Sequence, residues 1–237
     1  MAQKINPLSF RLGLLQIWNS TLQRYGKLFT PYILMNYRKK QVVNFLIRCL
    51  DNKELILSKI EFIILNHKIV INITYLKLEK DDLTEKEKLI IIKQLRKNLV
   101  QWFNSSIFIY FYYKKNWLNS AILMSNYITI LVGNKSDILK KILHNNFKFV
   151  QNWAKNKKVI YYKQGIIFLT LKGFKICLSG CFDASRVQMT KTIKYNFGFL
   201  PLTKLDSYVE YSYRQIFTKY GTCGLKIWFF YEIRKVL

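Results

Sequence analysis

The chain is short of acids. Against 39 Lys and Arg stand only 13 Asp and Glu in 237 residues, a formal net charge of +26. Small soluble domains carry a net charge of about 2–8 in magnitude, and a surplus this large repels itself unless a polyanion supplies the counter-charge. That argues against an enzyme for acidic substrates, a secreted domain and a free-standing metabolite enzyme. Alanine is almost missing (Ala2, Ala121, Ala154, Ala184), proline occurs three times and glycine nine times. Arginine is scarce as well, 8 against 31 lysines, although its planar fork is the better phosphate ligand. Ile, Asn, Lys, Phe and Tyr, the residues of A+T-rich codons, fill the space. An A+T-rich genome such as an organelle's is the natural source, with an A+T-rich bacterium as the competitor.

Long apolar runs are missing too. The greasiest stretch, Leu55–Leu78, is broken by Lys59, Glu61, His67, Lys68 and Lys77, and cannot supply the roughly 20 successive apolar residues of a membrane span. The opening Met1–Pro7 has neither the apolar centre of a secretory signal nor the Arg/Ser-rich pattern of a presequence. No membrane partner is expected, and a protein working in an organelle would have been made there. Cys49, Cys177, Cys181 and Cys223 contain no CxxC pair, and His67 and His144 are remote from them. We therefore expect no metal, no disulfide and no cofactor. No Walker loop, nucleophile elbow or HExxH is found. Asp81-Asp82 reads as a solvated turn ahead of a helix. No catalytic residue is expected, and the chain is not read as an enzyme.

What remains is 51% hydrophobic and 16% aromatic, which describes a folded protein and not a basic tail. Residues 1–50 hold eight basic residues and no acid, and 88–182 hold sixteen and one acid, Asp137. Eight of the thirteen acids gather in 51–87. Charge spread this widely suits embedding in a polyanion.

The periodicity predicts a short basic helix over 37–50 with Val42, Val43, Phe45 and Leu46 inward. A hairpin of Ile60–Leu65 and Ile69–Leu78 should follow. Thr84 and Glu87 have capping-box spacing and open a helix to about Phe103, with Ile92, Leu95, Leu99 and Trp102 on one face. Ile107–Tyr113 reads as a strand whose outward aromatics could stack on bases. Ile128–Val132 reads as an apolar strand or turn. A helix over 135–153 presents Leu139, Ile142, Leu143, Phe149, Val150 and Trp153. Strands are expected near 159–171, 173–179, 207–217 and 223–232.

The two ends carry more specific signals. Gln3-Lys4-Ile5-Asn6-Pro7, Phe10-Arg11-Leu12-Gly13 and Trp18-Asn19-Ser20 open the chain. Near the other end stand Gly173–Gly180, Pro201-Leu202 and Tyr220-Gly221-Thr222-Cys223-Gly224-Leu225-Lys226-Ile227-Trp228. In this order they resemble the family of small-subunit ribosomal protein three, closely over about 1–25 and 173–231 and by element order between. The resemblance implies an rRNA-binding protein of the small-subunit head beside the mRNA entrance channel. Its implied neighbours are small-subunit proteins ten and fourteen. The fold it implies is α+β: a KH domain of the second type, then a C-terminal α+β domain whose mixed or antiparallel sheet packs on helices. On this chain the division is a basic extended arm over 1–25, a KH-like domain over 26–120 and the C-terminal domain over 121–237, with an insertion near 154–171.

Two departures stand out. A KH domain grips a nucleic-acid backbone with a GxxG loop, yet Lys80-Asp81-Asp82-Leu83-Thr84 occupies that place without a glycine. The domain is read as degenerate. Gly221–Gly224 is the one GxxG, and it reads as a turn. The family's basic cluster facing mRNA falls on Leu143, His144 and Phe147, leaving Lys140, Lys141 and Lys148 nearby.

The RNA-binding residues expected from charge and resemblance together are Lys4, Arg11, Arg24, Lys27, Lys140, Lys141, Lys148, Lys155, Lys157, Lys158, Lys175, Arg186, Lys219 and Lys226. The expected function is structural, as an rRNA-binding constituent of the small ribosomal subunit in organellar translation, with mRNA at the channel as a further partner. The expected place is the mitochondrial matrix, in the mitoribosome; a plastid or an A+T-rich bacterial cytoplasm is the alternative. The rival function is an organelle-encoded RNA-processing protein, a maturase or homing endonuclease. It shares the composition but needs paired catalytic acids or a LAGLIDADG-type helix, and neither is found.

Overall fold

The structure, a computed structural model, describes residues 5–14, 16, 29–51, 55–64, 68–77, 83–103, 106–114, 118, 120–134, 139–153, 157–162, 165–181, 190–218 and 220–235. The chain divides into two compact units, one of Asn19–Lys115 and one of Met1–Trp18 with Asn116–Leu237. Each has a hydrophobic core of its own.

In the first unit, α1 (Phe29–Asp51) is followed by β1 (Leu55–Ile64), β2 (Lys68–Lys77), α2 (Glu85–Phe103) and β3 (Ser106–Tyr113). α1 starts eight residues before the expected 37, because Pro31 falls in its first turn, where a missing N–H is tolerated. Val42, Leu46 and Leu50 follow at the spacing of one buried stripe. β1 and β2 pair antiparallel, whereas β2 and β3 pair parallel, so α2 is the crossover that parallel neighbours require. α2 opens on the expected capping box: the Thr84 N–H donates to Glu87 Oε2 at 2.9 Å, and the Glu87 N–H to Thr84 Oγ1 at 3.4 Å. Its buried face is Ile91, Leu95, Leu99 and Phe103, one residue round from the expected one. Trp102 instead lies at the rim, its ring 5.4 Å from that of Phe45.

The second unit contains α3 (Ala121–Asn134), α4 (Leu139–Trp153), β4 (Lys157–Tyr162), β5 (Gly165–Gly180), β6 (Lys191–Gly198), β7 (Tyr208–Thr218) and β8 (Gly221–Lys235). The sheet runs β4-β5-β8-β7, and β6 pairs with the second half of β5. All pairings are antiparallel. A register shift between Leu171 and Gly173 lets Leu169 and Leu171 before it face the same core as Phe174, Ile176 and Leu178 after it. At that point β5 and β6 approach so closely that a Cβ on Gly173 would lie 2.3 Å from the Phe199 carbonyl oxygen. A Cβ on Gly198, at φ +66°, would lie 2.0 Å from that of Lys172.

The structure adds to or departs from the expected elements at three places. Ile128–Val132 is helical, part of α3. Its β-branched residues suggest a strand, but Ala121, Met124, Ile128 and Val132 make one buried helical stripe on the sheet, and tertiary burial overrides propensity. Glu210, far away on β7, accepts a hydrogen bond from the Ala121 N–H and so satisfies one of the first-turn donors. β6 is an added strand; its alternation Lys191-Thr192-Ile193-Lys194-Tyr195 is only half-apolar, too weak a pattern to predict it. Of the basic extended arm expected over 1–25, the described part packs within a unit. Residues 5–14 and 16 belong to the second unit, where Ser9–Arg11 forms a single 3₁₀ turn.

Candidate nucleic-acid interface

The sheet of the second unit has two unlike faces. Leu225, Ile227 and Phe229 of β8 are buried with α3 and α4, so by alternation Gly224, Lys226 and Trp228 point the other way. The pairing registers carry that outer face across the sheet. One row is Asn196, Lys175, Trp228 and Tyr211; the next is Lys194, Cys177, Lys226 and Tyr213; the third is Thr192, Ser179, Gly224 and Gln215. Lysines alternate with rings. Lys175 Nζ lies 5.6 Å from the Trp228 ring centre, Lys226 Nζ lies 5.9 Å from that of Tyr213, and Tyr211 packs on Trp228 at 5.4 Å. None of these twelve residues is acidic. A cationic surface with aromatic platforms can neutralise phosphates and stack on bases.

α4 offers a second basic surface. Its core side is Leu139, Leu143, Asn146 and Val150, which leaves Lys140, Lys141 and Lys148 exposed. Lys141 and Lys148 stand two turns apart on one face. Phe149, expected inward, is 56% exposed beside them, because the core stripe passes through Asn146 and Val150. The positions matched to the family's basic cluster behave differently. Leu143 is fully buried, and Phe147 packs against Phe174 and Tyr195 at 5.0 and 5.4 Å. Only His144 is exposed.

Two expected RNA ligands are spent inside the fold. Arg11 is completely buried: its Nη2 donates to the carbonyls of Leu202 and Lys204, Nη1 to that of Pro7 and Nε to that of Ser207, all within 3.1 Å. Burial pushes its guanidinium down from the ordinary arginine value. A fully buried cation with four of its five N–H donors on backbone oxygens is out of reach of a phosphate. Lys158 turns inward to pair with Glu210, each side chain 17% exposed, and lies 5.4 Å from the Tyr231 ring centre. The hairpin of β4 and β5 therefore sends one of its lysines into the core. Lys157 lies in β4 opposite Thr170. Lys4, Arg24, Lys27, Lys155, Arg186 and Lys219 lie outside the described residues, as do Asp81 and Asp82 of the loop that lacks a GxxG.

Lys194, Tyr211 and Tyr213 belong to the open face, although sequence reasoning does not single them out. A signal is present in β7, where Tyr211, Tyr213, Gln215 and Phe217 share one face, but nothing local says which side the helices cover. In the first unit, Phe108, Tyr110 and Tyr112 are exposed along β3 while Ile107 and Ile109 are buried, so half of that aromatic strand faces outward. Among the described residues no group of three or more His, Cys, Asp or Glu could hold a metal ion, and no helix is long and apolar enough to cross a membrane.

Comparison with known proteins supplies the frame for this geometry. Over all 237 residues the chain is 37% identical to the small ribosomal subunit protein uS3m of Chondrus crispus, covering 97% of that protein. The chain belongs to the uS3 family of small-subunit ribosomal proteins. Residues 149–229 match the family described as Ribosomal protein S3, C-terminal domain. Bacterial uS3 proteins align almost as fully: that of Baumannia cicadellinicola is 27% identical over 97% of this chain and 87% of its own length. That of Thermosipho africanus is 25% identical, with 97% of each chain covered. The protein is thus an organellar uS3 and a structural constituent of the small ribosomal subunit. The maturase reading finds no support. The matched C-terminal region contains α4 from Phe149 onward and most of the open sheet face, including Lys175, Lys194, Tyr211, Tyr213, Lys226 and Trp228.

Proposed function

We propose that this uS3 works in the mitoribosome, in the mitochondrial matrix, where it binds small-subunit rRNA in the head beside the mRNA entrance channel. Small-subunit proteins ten and fourteen are its proposed neighbours. The observation that carries the reading is the full-length likeness to a mitochondrial small-subunit protein, on a chain whose net charge of +26 requires a polyanion. The mechanism is electrostatic: lysines displace counterions from rRNA phosphates, and apolar faces meet neighbouring proteins. It has no catalytic chemistry of its own.

The first unit is proposed to be a degenerate KH domain of the second type. Its order, helix, two strands, helix, strand, with a parallel β2–β3 pair, supports this. The absence of a glycine from Lys80–Thr84, just ahead of α2, supports the degenerate reading. Without that loop the unit is a scaffold, and single-strand gripping falls to the other unit. At the channel, Lys141 and Lys148 are proposed to take over the mRNA contact from the missing cluster.

Sedimentation through a sucrose gradient in high-magnesium buffer tests the main reading. The protein should travel with the small subunit; a protein left at the top refutes it. Lys141→Ala with Lys148→Ala should slow translation through stable hairpins. Unchanged rates on structured messages, with assembly intact, would remove the mRNA role.

A further inference from the structure

The geometry points to an unpaired RNA segment, and not a duplex, as the occupant of the open sheet face in the second unit. This rests on the rRNA-binding reading and makes it more specific. Four features of the face lead there.

The first is exposure. Tyr213 is 47% and Phe217 72% exposed, both on the face of β7 turned away from the core. Both rings leave much of their surface to solvent. The second is the placing of charge. Lys226 lies over Tyr213 and Lys175 over Trp228, so each cation sits beside a ring. Lys194 adds a third cation in the same row as Lys226. A nucleotide offers the matching pair, a flat base next to a phosphate. The acid nearest this face along β8, Glu232, is held in an ion pair with Lys172 at 3.1 Å. An acidic or purely apolar protein surface would use the lysines or the rings, but not their alternation.

Spacing is the third feature. Rings on one face of a strand recur every second residue, about 6.6–6.8 Å apart. Bases stacked within a duplex strand are separated by only about half that distance or less, and their faces are already covered by one another. Exposed rings therefore gain stacking only from bases that are splayed out, as in loops and single strands. The fourth feature is Gly224, where a Cβ would meet Tyr213 Cε2 at 3.3 Å. A side chain there would crowd the ring that Lys226 accompanies.

The test uses the full-length chain with two probes: an unstructured pyrimidine RNA of about a dozen nucleotides, within the site sizes of single-strand binders, and a blunt RNA duplex of the same phosphate count. Tyr213→Ala and Phe217→Ala should each weaken binding of the unpaired RNA about fivefold or more and leave duplex binding unchanged. Tyr213→Phe should bind as the original does, which separates loss of the ring from loss of the fold; thermal unfolding of each variant provides the same control. Replacing Lys175, Lys194 and Lys226 by Gln should lower the salt slope by roughly 0.7 for each phosphate no longer neutralised. Cys177, half-buried in the row between Lys194 and Lys226, gives a direct footprint. Its alkylation, followed by mass spectrometry at that residue, should slow when unpaired RNA is added.

Equal losses on both probes would overturn the proposal, as would aromatic variants that bind unpaired RNA normally. Variants that bind RNA normally but fail to join the small subunit would assign the face to a neighbouring protein instead. A chain that joins the subunit yet is insensitive to these substitutions sinks only this inference. A chain that never joins the subunit sinks the ribosomal reading beneath it.

Discussion

Four backbone carbonyls, those of Pro7, Leu202, Lys204 and Ser207, converge on the guanidinium of Arg11 and tie the N-terminal segment to the connection between β6 and β7. Arg11→Ala removes the donor from all four and should cost about 2–4 kcal/mol in thermal unfolding. Arg11→Lys should recover part of this, since an ammonium has three donors without the planar fork. The salt slope of RNA binding should not move, because this charge never reaches solvent. A second buried centre is Glu210, which takes the Lys158 ammonium on one oxygen and the Ala121 N–H on the other. Glu210→Gln should destabilise by about 2–3 kcal/mol, because it removes the charge opposite a nearly buried cation. Next to this pair, Tyr208 and Tyr231 have their phenols pushed far up, first by burial and then by the Glu210 charge. Raised phenols stay protonated in the fold while the unfolded chain releases protons above about pH 10, so stability is full below that point and falls as pH rises through it. Tyr208→Phe and Tyr231→Phe should each flatten the fall, read as unfolding temperature between about pH 9 and 11, on either side of an ordinary tyrosine near 10.

Among the elements, α2 is the one most plainly written in the sequence. Its start is a local device, Thr84 and Glu87 bonding each other's backbone, and Thr84→Ala should cost about 1 kcal/mol. Faster amide exchange in the first turn of α2 is the measurement. α3 is the opposite case. Glu210 at its start lies 89 residues away, and its Ser125 hydroxyl meets that of Ser212 on β7 at 2.6 Å. Neither partner can be seen in residues 121–134. The crossing of β5 and β6 is decided by backbone space: Gly173→Ala and Gly198→Ala each push a methyl into a carbonyl. Each should lower stability by at least about 2 kcal/mol, whereas an exposed change such as Thr192→Ala should stay within about 0.5 kcal/mol.

At the scale of the whole molecule, the net charge of +26 sets solubility and partner class but not the site. RNA binding should fall steeply with added salt, the slope growing by roughly 0.7–0.9 for each phosphate neutralised; a flat profile would remove the electrostatic mechanism. The second unit is discontinuous in sequence, built from Met1–Trp18 and Asn116–Leu237. Deleting residues 1–16 should therefore destabilise the five-stranded sheet, seen as faster amide exchange in β7, which carries the Val209 carbonyl that Gln16 binds. The sequence by itself determined the polyanion partner, the α+β class, the capped α2 and the ribosomal family, because charge, periodicity and terminal motifs are local or additive properties. Only the tertiary structure decided which cations are available. Arg11 and Lys158 look like any other basic residue in the chain, yet distant carbonyls and a distant carboxylate draw them inward. Lys175, Lys194 and Lys226, from three separate strands, become one surface because β-sheet register joins positions that the chain keeps apart.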